Sequence, residues 1–328
     1  MLARQPLYDI RTIDDFQYLP HAAIVFSAFA RLGAPVGGIV WRLAGWGLFA
    51  HGLWRLCVLA SPKDHRRLFL IATVIVVPPA LTSVLNGQAN LHIAALMMHA
   101  TVDLSHARRR AVVWLAAGLA LKPLMMVMLL LACVVCPSMI WPTLMALGLL
   151  LALPLAIAPA HYVAMQYHDC WIKMARSATP DRMFEDLRGL VWKMGWLIPF
   201  PLLRAIAALA ALGAGWLCVR VRRQWQEPAV SLLTFAIAGA YLMLFNSRTQ
   251  PNSYVILAPA GALAAALLLL HRRTRAGLAM LAIVACWCGS AIPWTANWLK
   301  PLACVVFCGL MIRYVFEGSD GAGTYTAR

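Results

Sequence analysis

Apolar runs of membrane length recur along this chain, and nearly every second one is closed by a short cluster of arginines or lysines. The runs are Val36 to Ala60, Leu68 to Leu85, Leu91 to Ser105, Trp196 to Val219, Ala229 to Phe245, Tyr254 to Leu270, Leu278 to Trp294 and Leu299 to Phe316. A helix needs about 20 apolar residues to cross a hydrocarbon layer of about 30 Å. Within lipid every backbone N–H and C=O must be bonded internally, which restricts the choice to helices or a closed barrel. Segments of this length predict an all-α polytopic membrane protein, with about 8–10 membrane helices including a re-entrant hairpin. The 328 residues are 62% hydrophobic and 12% charged; soluble domains run at about 45–50% apolar and about 25% charged. No single soluble core of this size hides so much apolar surface.

The formal net charge of +16 raises the question of nucleic acid, but the placement of the charge argues against it. Lys63, Arg66 and Arg67, then Arg108 to Arg110, then Arg220, Arg222 and Arg223, then Arg272, Arg273 and Arg275 sit at the ends of apolar runs. Such clusters mark cytoplasmic ends under the positive-inside rule. The expectation is one integral membrane domain over residues 1–316, multi-pass in the cytoplasmic (inner) membrane, with a disordered cytoplasmic tail over 317–328. The partner this implies is the lipid bilayer, with no nucleic acid. Of the nine cysteines, all but Cys170 lie in apolar stretches, where cysteine acts as a small hydrophobe. Cys133 and Cys136 have C-x-x-C spacing without a second pair or a flanking histidine. Neither a metal, a cofactor nor a disulfide framework is expected.

The stretch from Ala111 to Cys136 is apolar but interrupted by Lys122-Pro123. Proline lacks an N–H and disfavours helix at the preceding residue. Each half is then too short to cross alone. If the stretch crossed once, Thr143 to Pro159 would return the chain and every later basic cluster would face outward. A hairpin that dips in and returns restores the pattern, and irregular backbone at that depth has to be buried in protein. The long polar stretch His161 to Lys193 then lies outside, where Phe184, Leu187, Leu190 and Val191 give a weak helical period. That period fits a helix lying on the membrane surface and equally a solvated charged loop. The N-terminus fits less well. Met1 to Tyr18 is polar and acidic, followed by an apolar segment, His21 to Leu32, too short to span. Either that segment crosses under strain or a further helix precedes it.

Ionisable and amide groups at membrane depth are costly and are functional candidates. Gln88 and Asn90 follow Gly87 at an outer turn, Asn86 to Asn90, and a second outer turn, Asn246 to Ser253, carries Arg248 and Asn252. Ordinary turn chemistry accounts for both; so does a polar cavity in which a planar guanidinium meets a phosphate. Lys122 within the hairpin either snorkels or meets an anion. Arg42, Arg55 and Arg204 lie within spans, and snorkelling accounts at least for Arg55. His92 and His99 on one helix face are two turns apart, too far for one metal and more in keeping with satisfied core histidines.

The segment Asn86-Gly87-Gln88-Ala89-Asn90 before an apolar helix resembles the G-Q-x-N signature of glycosyltransferase family 87. Phe16-Gln17-Tyr18-Leu19-Pro20 resembles that family's F-x-Y-x-P start of an early helix. Leu121-Lys122-Pro123 resembles its K-P hairpin, and Ser247-Arg248-Thr249 before Asn252-Ser253-Tyr254 resembles its late outer turn. The resemblance implies a membrane glycosyltransferase of the C-type fold. It would move a mannose- or arabinose-like sugar from a polyprenyl-phosphate donor to a glycan or glycolipid acceptor at the outer membrane face. Gln88, Asn90, Lys122, Arg248, Asn252 and Tyr18 would bind substrate. The family's early outer-loop acid, the general base, has no clear counterpart upstream of Pro6-Leu7-Tyr8; Asp9, Asp14 and Asp15 are the carboxylates at hand. A transporter or flippase of a lipid-linked or anionic substrate would also use broken helices and buried cations. An inactive accessory subunit is the third reading.

Overall fold

The computed structural model describes residues 6–9, 16, 18–177, 183–289, 295 and 297–321. Among them the secondary structure is helical throughout, with no strand. The short α1 (Ala22–Ala30) precedes α2 (Ala34–Ala60), α3 (His65–Leu85), α4 (Asn90–His106), α5 (Arg108–Leu121), α6 (Met125–Val135) and α7 (Ile140–Ala152). The polar stretch forms α8 (Ala160–Ser177) and α9 (Leu187–Lys193). Then come α10 (Phe200–Gln224), α11 (Ala229–Phe245), α12 (Ala258–Leu270), α13 (Thr274–Cys286) and α14 (Leu299–Gly321). Among the described residues, five segments are long and apolar enough to cross a membrane: Ala34–Ala60, His65–Leu85, Pro137–Ala156, Phe200–Gln224 and Leu299–Glu317.

Helix α4 is the axis of the bundle. Every residue from Asn90 to Leu104 is buried, because α2 and α5 flank it closely and α11 covers another face. A helix enclosed on all sides is normally apolar all round, yet α4 carries Asn90, His92, His99, Thr101 and Asp103 inside. Helices α11 and α12 are also largely enclosed. The outer helices keep one bare apolar face, as at Val74, Trp141, Leu149, Leu209 and Leu212. Surface of this kind is stable against lipid tails, not water.

The break at Lys122-Pro123 is where the sequence places it. Lys122 ends α5 with extended backbone, φ −154° and ψ 136°, as proline requires of its predecessor. The 14 residues of α5 reach about 21 Å and the 11 of α6 about 16 Å, each short of the hydrocarbon thickness. Cys136 at the foot of α6 lies in the field of Arg108, Arg222 and Glu227. The hairpin therefore returns to the end of the bundle where α5 began, the end that carries the basic clusters. Helix α7 then leaves from that end.

Several boundaries differ from the sequence reading. The run expected from Tyr254 begins as a 3-10 turn, Pro251–Ile256, before α12. Helix α13 starts at Thr274, because Arg272 takes a left-handed φ of 56° and turns the chain at once. In the polar stretch the weak period at Phe184–Val191 yields only α9, whereas the longer helix, α8, lies upstream. It is amphipathic, with Ala160, Val163, Tyr167, Trp171 and Met174 at helical spacing beside the polar His161, Gln166, His168, Asp169 and Lys173. Its buried face includes Gln166 and Lys173, whose polar tips meet the N-terminal segment: Leu7 N–H donates to Gln166 Oε1 at 2.8 Å and Lys173 Nζ to the Asp9 carbonyl at 3.0 Å.

Candidate active site

Three turns far apart in sequence meet at the first residue of α4. The Asn90 side chain is buried, and its amide nitrogen donates to Asn252 Oδ1 at 3.2 Å and to Ser253 Oγ at 3.3 Å. Its amide oxygen accepts from Lys122 Nζ at 2.7 Å. This network fixes the amide's orientation, since only the oxygen can face an ammonium. Ser253 Oγ also accepts from the Gln250 N–H at 3.1 Å, which holds the 3-10 turn shut. The ammonium of Lys122 has three donors and uses one of them on the described residues. The remaining two have no partner among the described residues and can meet an oxyanion.

The Asn86–Asn90 turn is held from α2. Gly87 has φ 60°, a left-handed conformation that costs a Cβ-bearing residue about 1–2 kcal/mol. Its carbonyl accepts from Trp41 Nε1 at 2.9 Å. Arg42 donates to the Val84 and Leu85 carbonyls at 3.2 Å each and to Gly38 at 3.1 Å, closing the open end of α3. Gln88 is half-buried; its backbone N–H donates to the Ser83 carbonyl at 2.9 Å, and its carboxamide has no hydrogen bond to the described residues.

Arg248 lies half-buried on the second turn, between Ser247 and Thr249. Thr249 Oγ1 donates to the Asn246 carbonyl at 3.0 Å and so secures that turn to the end of α11. The turn is also tied to the polar stretch: the Glu185 N–H donates to the Thr249 carbonyl at 2.9 Å, and the Tyr254 hydroxyl to the Glu185 carbonyl at 3.0 Å. Burial pushes the carboxyls of Glu185 and Asp186 above the usual range. Lys300 opposes this at Glu185, and the Gly189 N–H opposes it at Asp186, which caps α9 at 2.8 Å.

Tyr18 stands at the start of an aromatic series. Its ring lies 5.1 Å from Phe26, Phe26 lies 5.4 Å from Trp41, and Trp41 stacks on His92 of α4 at 3.7 Å. The Tyr18 carbonyl accepts from the Tyr8 hydroxyl at 2.6 Å. Tyr18 is thus joined to the Asn90 region by packing, not by a hydrogen bond. Asp9 is exposed beside α8. Asp14 and Asp15 lie outside the described residues. Among the described residues, no group of histidines, cysteines and carboxylates is spaced to hold a metal ion.

At the other end of α4, Arg55 does not snorkel. It pairs with Asp103 Oδ1 at 2.5 Å and donates to His99 Nδ1 at 2.9 Å. Trp114 Nε1 donates to Asp103 Oδ2 at 2.7 Å, and His99 Nε2 reaches the Leu48 carbonyl at 3.3 Å. His99 is a satisfied core histidine, as expected for both, but His92 is not: it stacks on Trp41 and neither of its buried ring nitrogens has a hydrogen-bond partner among the described residues. Asp103 passed unnoticed in the sequence. The only signal was a carboxylate one turn before a basic cluster, which reads as a solvated helix end.

These features define a helical membrane protein with a polar site at the end opposite its basic clusters. A sequence model of glycosyltransferase family 87 matches residues 16–247; the chain belongs to that family, whose members are membrane glycosyltransferases. No curated protein and no solved structure matches it. The matched region includes Gln88, Asn90 and Lys122 and ends just before Arg248.

Proposed function

We propose that the protein transfers a sugar, mannose- or arabinose-like, from a polyprenyl-phosphate donor to a glycan or glycolipid acceptor at the outer face of the cytoplasmic membrane. The observation that carries this is the chain Lys122–Asn90–Asn252/Ser253. It gathers a cation and three neutral polar groups at the end of the bundle away from the basic clusters. Under the positive-inside rule that end faces outward, and the C-terminus faces the cytoplasm.

The chemistry requires little more. The acceptor oxygen attacks the anomeric carbon, the bond from that carbon to the phosphate oxygen breaks, and the electron pair leaves on polyprenyl phosphate. An attack from the face opposite the leaving group inverts the anomeric centre. The departing phosphate gains charge, which fixed cations in a water-poor site stabilise strongly. Lys122, held by Asn90, and Arg248 fill that role, and Gln88 hydrogen-bonds sugar or phosphate. A carboxylate takes the acceptor proton; in the N-terminal segment Asp9, Asp14 and Asp15 are the ones available. Membranes containing the protein are expected to release polyprenyl phosphate from a labelled polyprenyl-phosphate sugar. Gln88→Ala and Arg248→Ala are expected to lower the transfer with little loss of folded protein. Full activity in both variants would overturn the assignment, and uptake of the lipid without chemical change would make the protein a transporter.

A further inference from the structure

Lys300, the second residue of α14, and Glu185, in the polar stretch before α9, form an ion pair of 3.1 Å. Their side chains are only 3% and 4% exposed. Lys300 Nζ also donates to the Pro251 carbonyl at 3.0 Å and lies 5.5 Å above the Tyr254 ring. Glu185 is bonded through its own backbone to both sides of the same turn, Thr249 and Tyr254. Asn297, in a left-handed conformation of φ 68°, brings its backbone beside the Glu185 carboxylate. Every one of these contacts surrounds the turn that carries Arg248, Asn252 and Ser253.

A buried ion pair is poor evidence for stability. Removing two charges from water costs about as much as their attraction returns, and well-packed apolar residues often do as well. What such a pair does supply is geometry. An ammonium bound to both a carboxylate and a carbonyl oxygen fixes the two relative to each other to within a hydrogen bond's tolerance. Here the bound carbonyl belongs to Pro251, whose neighbour Asn252 receives the Asn90 amide hydrogen. The pair is linked in turn to Lys122 through the Pro251–Asn252 backbone and the two hydrogen bonds of the Asn90 side chain.

We propose that Glu185 and Lys300 are a positioning pair that fixes the Asn246–Ser253 turn for donor binding, although neither touches the donor. The polar stretch and the head of α14 thereby become parts of the donor site. The consequence for the reaction rests on the glycosyltransferase reading; the ordering of the turn does not. Loss of the pair lets the turn carrying Arg248 and Asn252 sample other positions. The donor then binds less well, while the acceptor, which meets other groups, is unaffected.

The test compares four forms in detergent or nanodiscs: wild type, Lys300→Arg, Lys300→Met and the double variant Glu185→Leu/Lys300→Met. The single Lys300→Met leaves a buried carboxylate unpaired and is free to misfold; the double variant removes both charges and keeps apolar volume. Two quantities are read: hydrogen exchange in residues 246–254, and KM for the polyprenyl-phosphate sugar against KM for the acceptor. The double variant is expected to fold, to exchange about tenfold faster in that turn and to raise donor KM about tenfold at unchanged acceptor KM. Lys300→Arg, which keeps the charge and its bonds, is expected to recover most of the donor affinity. A folded double variant with wild-type exchange and wild-type donor KM overturns the proposal. Faster exchange together with a wild type that transfers no sugar would uphold the ordering of the turn and overturn the glycosyltransferase reading instead.

Discussion

The two ends of α4 hold polar clusters of opposite character. At one end Arg55, Asp103, His99 and Trp114 satisfy one another: both carboxylate oxygens and both imidazole nitrogens are bonded within the protein. At the other end Lys122 and Gln88 retain hydrogen-bonding capacity that the described residues leave unused. Each cluster contains a half-buried cation, so burial alone does not separate a structural site from a functional one. Saturation does. A closed network holds helices together, whereas a network with spare donors is prepared for a ligand.

The largest expected effect tests the open end. Lys122→Met should reduce sugar transfer about a thousandfold, roughly 4 kcal/mol of transition-state stabilisation, with the thermal midpoint held within a few degrees. Initial rates in membranes check this, and a reduction below about threefold would erase the distinction between the two ends. The closed end should respond the other way. Asp103→Ala strands Arg55 and is expected to cost about 2–4 kcal/mol of stability, measured by thermal unfolding. Transfer per folded molecule should be preserved; selective loss of activity would make this cluster functional as well. Gly87→Ala forces a Cβ into a left-handed turn and toward Arg42, whose guanidinium carbon would lie 3.4 Å away. It should cost about 1–2 kcal/mol and raise donor KM modestly through the displaced Gln88.

The smallest effect concerns pH. Burial raises the Asp186 carboxyl above its unfolded value, so the folded protein holds that proton more tightly than the unfolded chain does. The stability this group contributes is complete below the unfolded value of about 4 and is lost as pH rises through the raised folded value. Asp186→Asn retains a capping side chain for α9 but does not titrate. Its thermal midpoint should therefore depend less steeply on pH across that window than the wild type's, and equal slopes would exclude a contribution from Asp186.

Much of the scaffold was legible because its signals are local. The length of α2, the break at Lys122-Pro123 and the turn at Gly87 each follow from a handful of neighbouring residues. Helix α8 keeps an apolar period, at Ala160, Val163, Tyr167, Trp171 and Met174; what is not local is the role of Gln166 and Lys173 on its buried face, whose partners Leu7 and Asp9 lie more than 150 residues away. Boundaries at α12 and α13 shifted because the 3-10 turn and the left-handed Arg272 carry no hydrophobic signature.

By itself, the sequence determined that the chain is a bundle of membrane helices with one interrupted hairpin, and it marked Gln88, Asn90, Lys122, Arg248 and Asn252 as residues of interest. Hydrophobic length and proline chemistry operate along the chain, so they can be read from it. Only the tertiary structure decided that Asn90 joins Lys122 to Asn252 and Ser253, that Arg55 pairs with Asp103, and that Glu185 meets Lys300. Those pairings depend on which buried polar groups find partners across tens to hundreds of residues, and the cost of leaving a buried group unpaired is paid in space, where sequence spacing gives no guide.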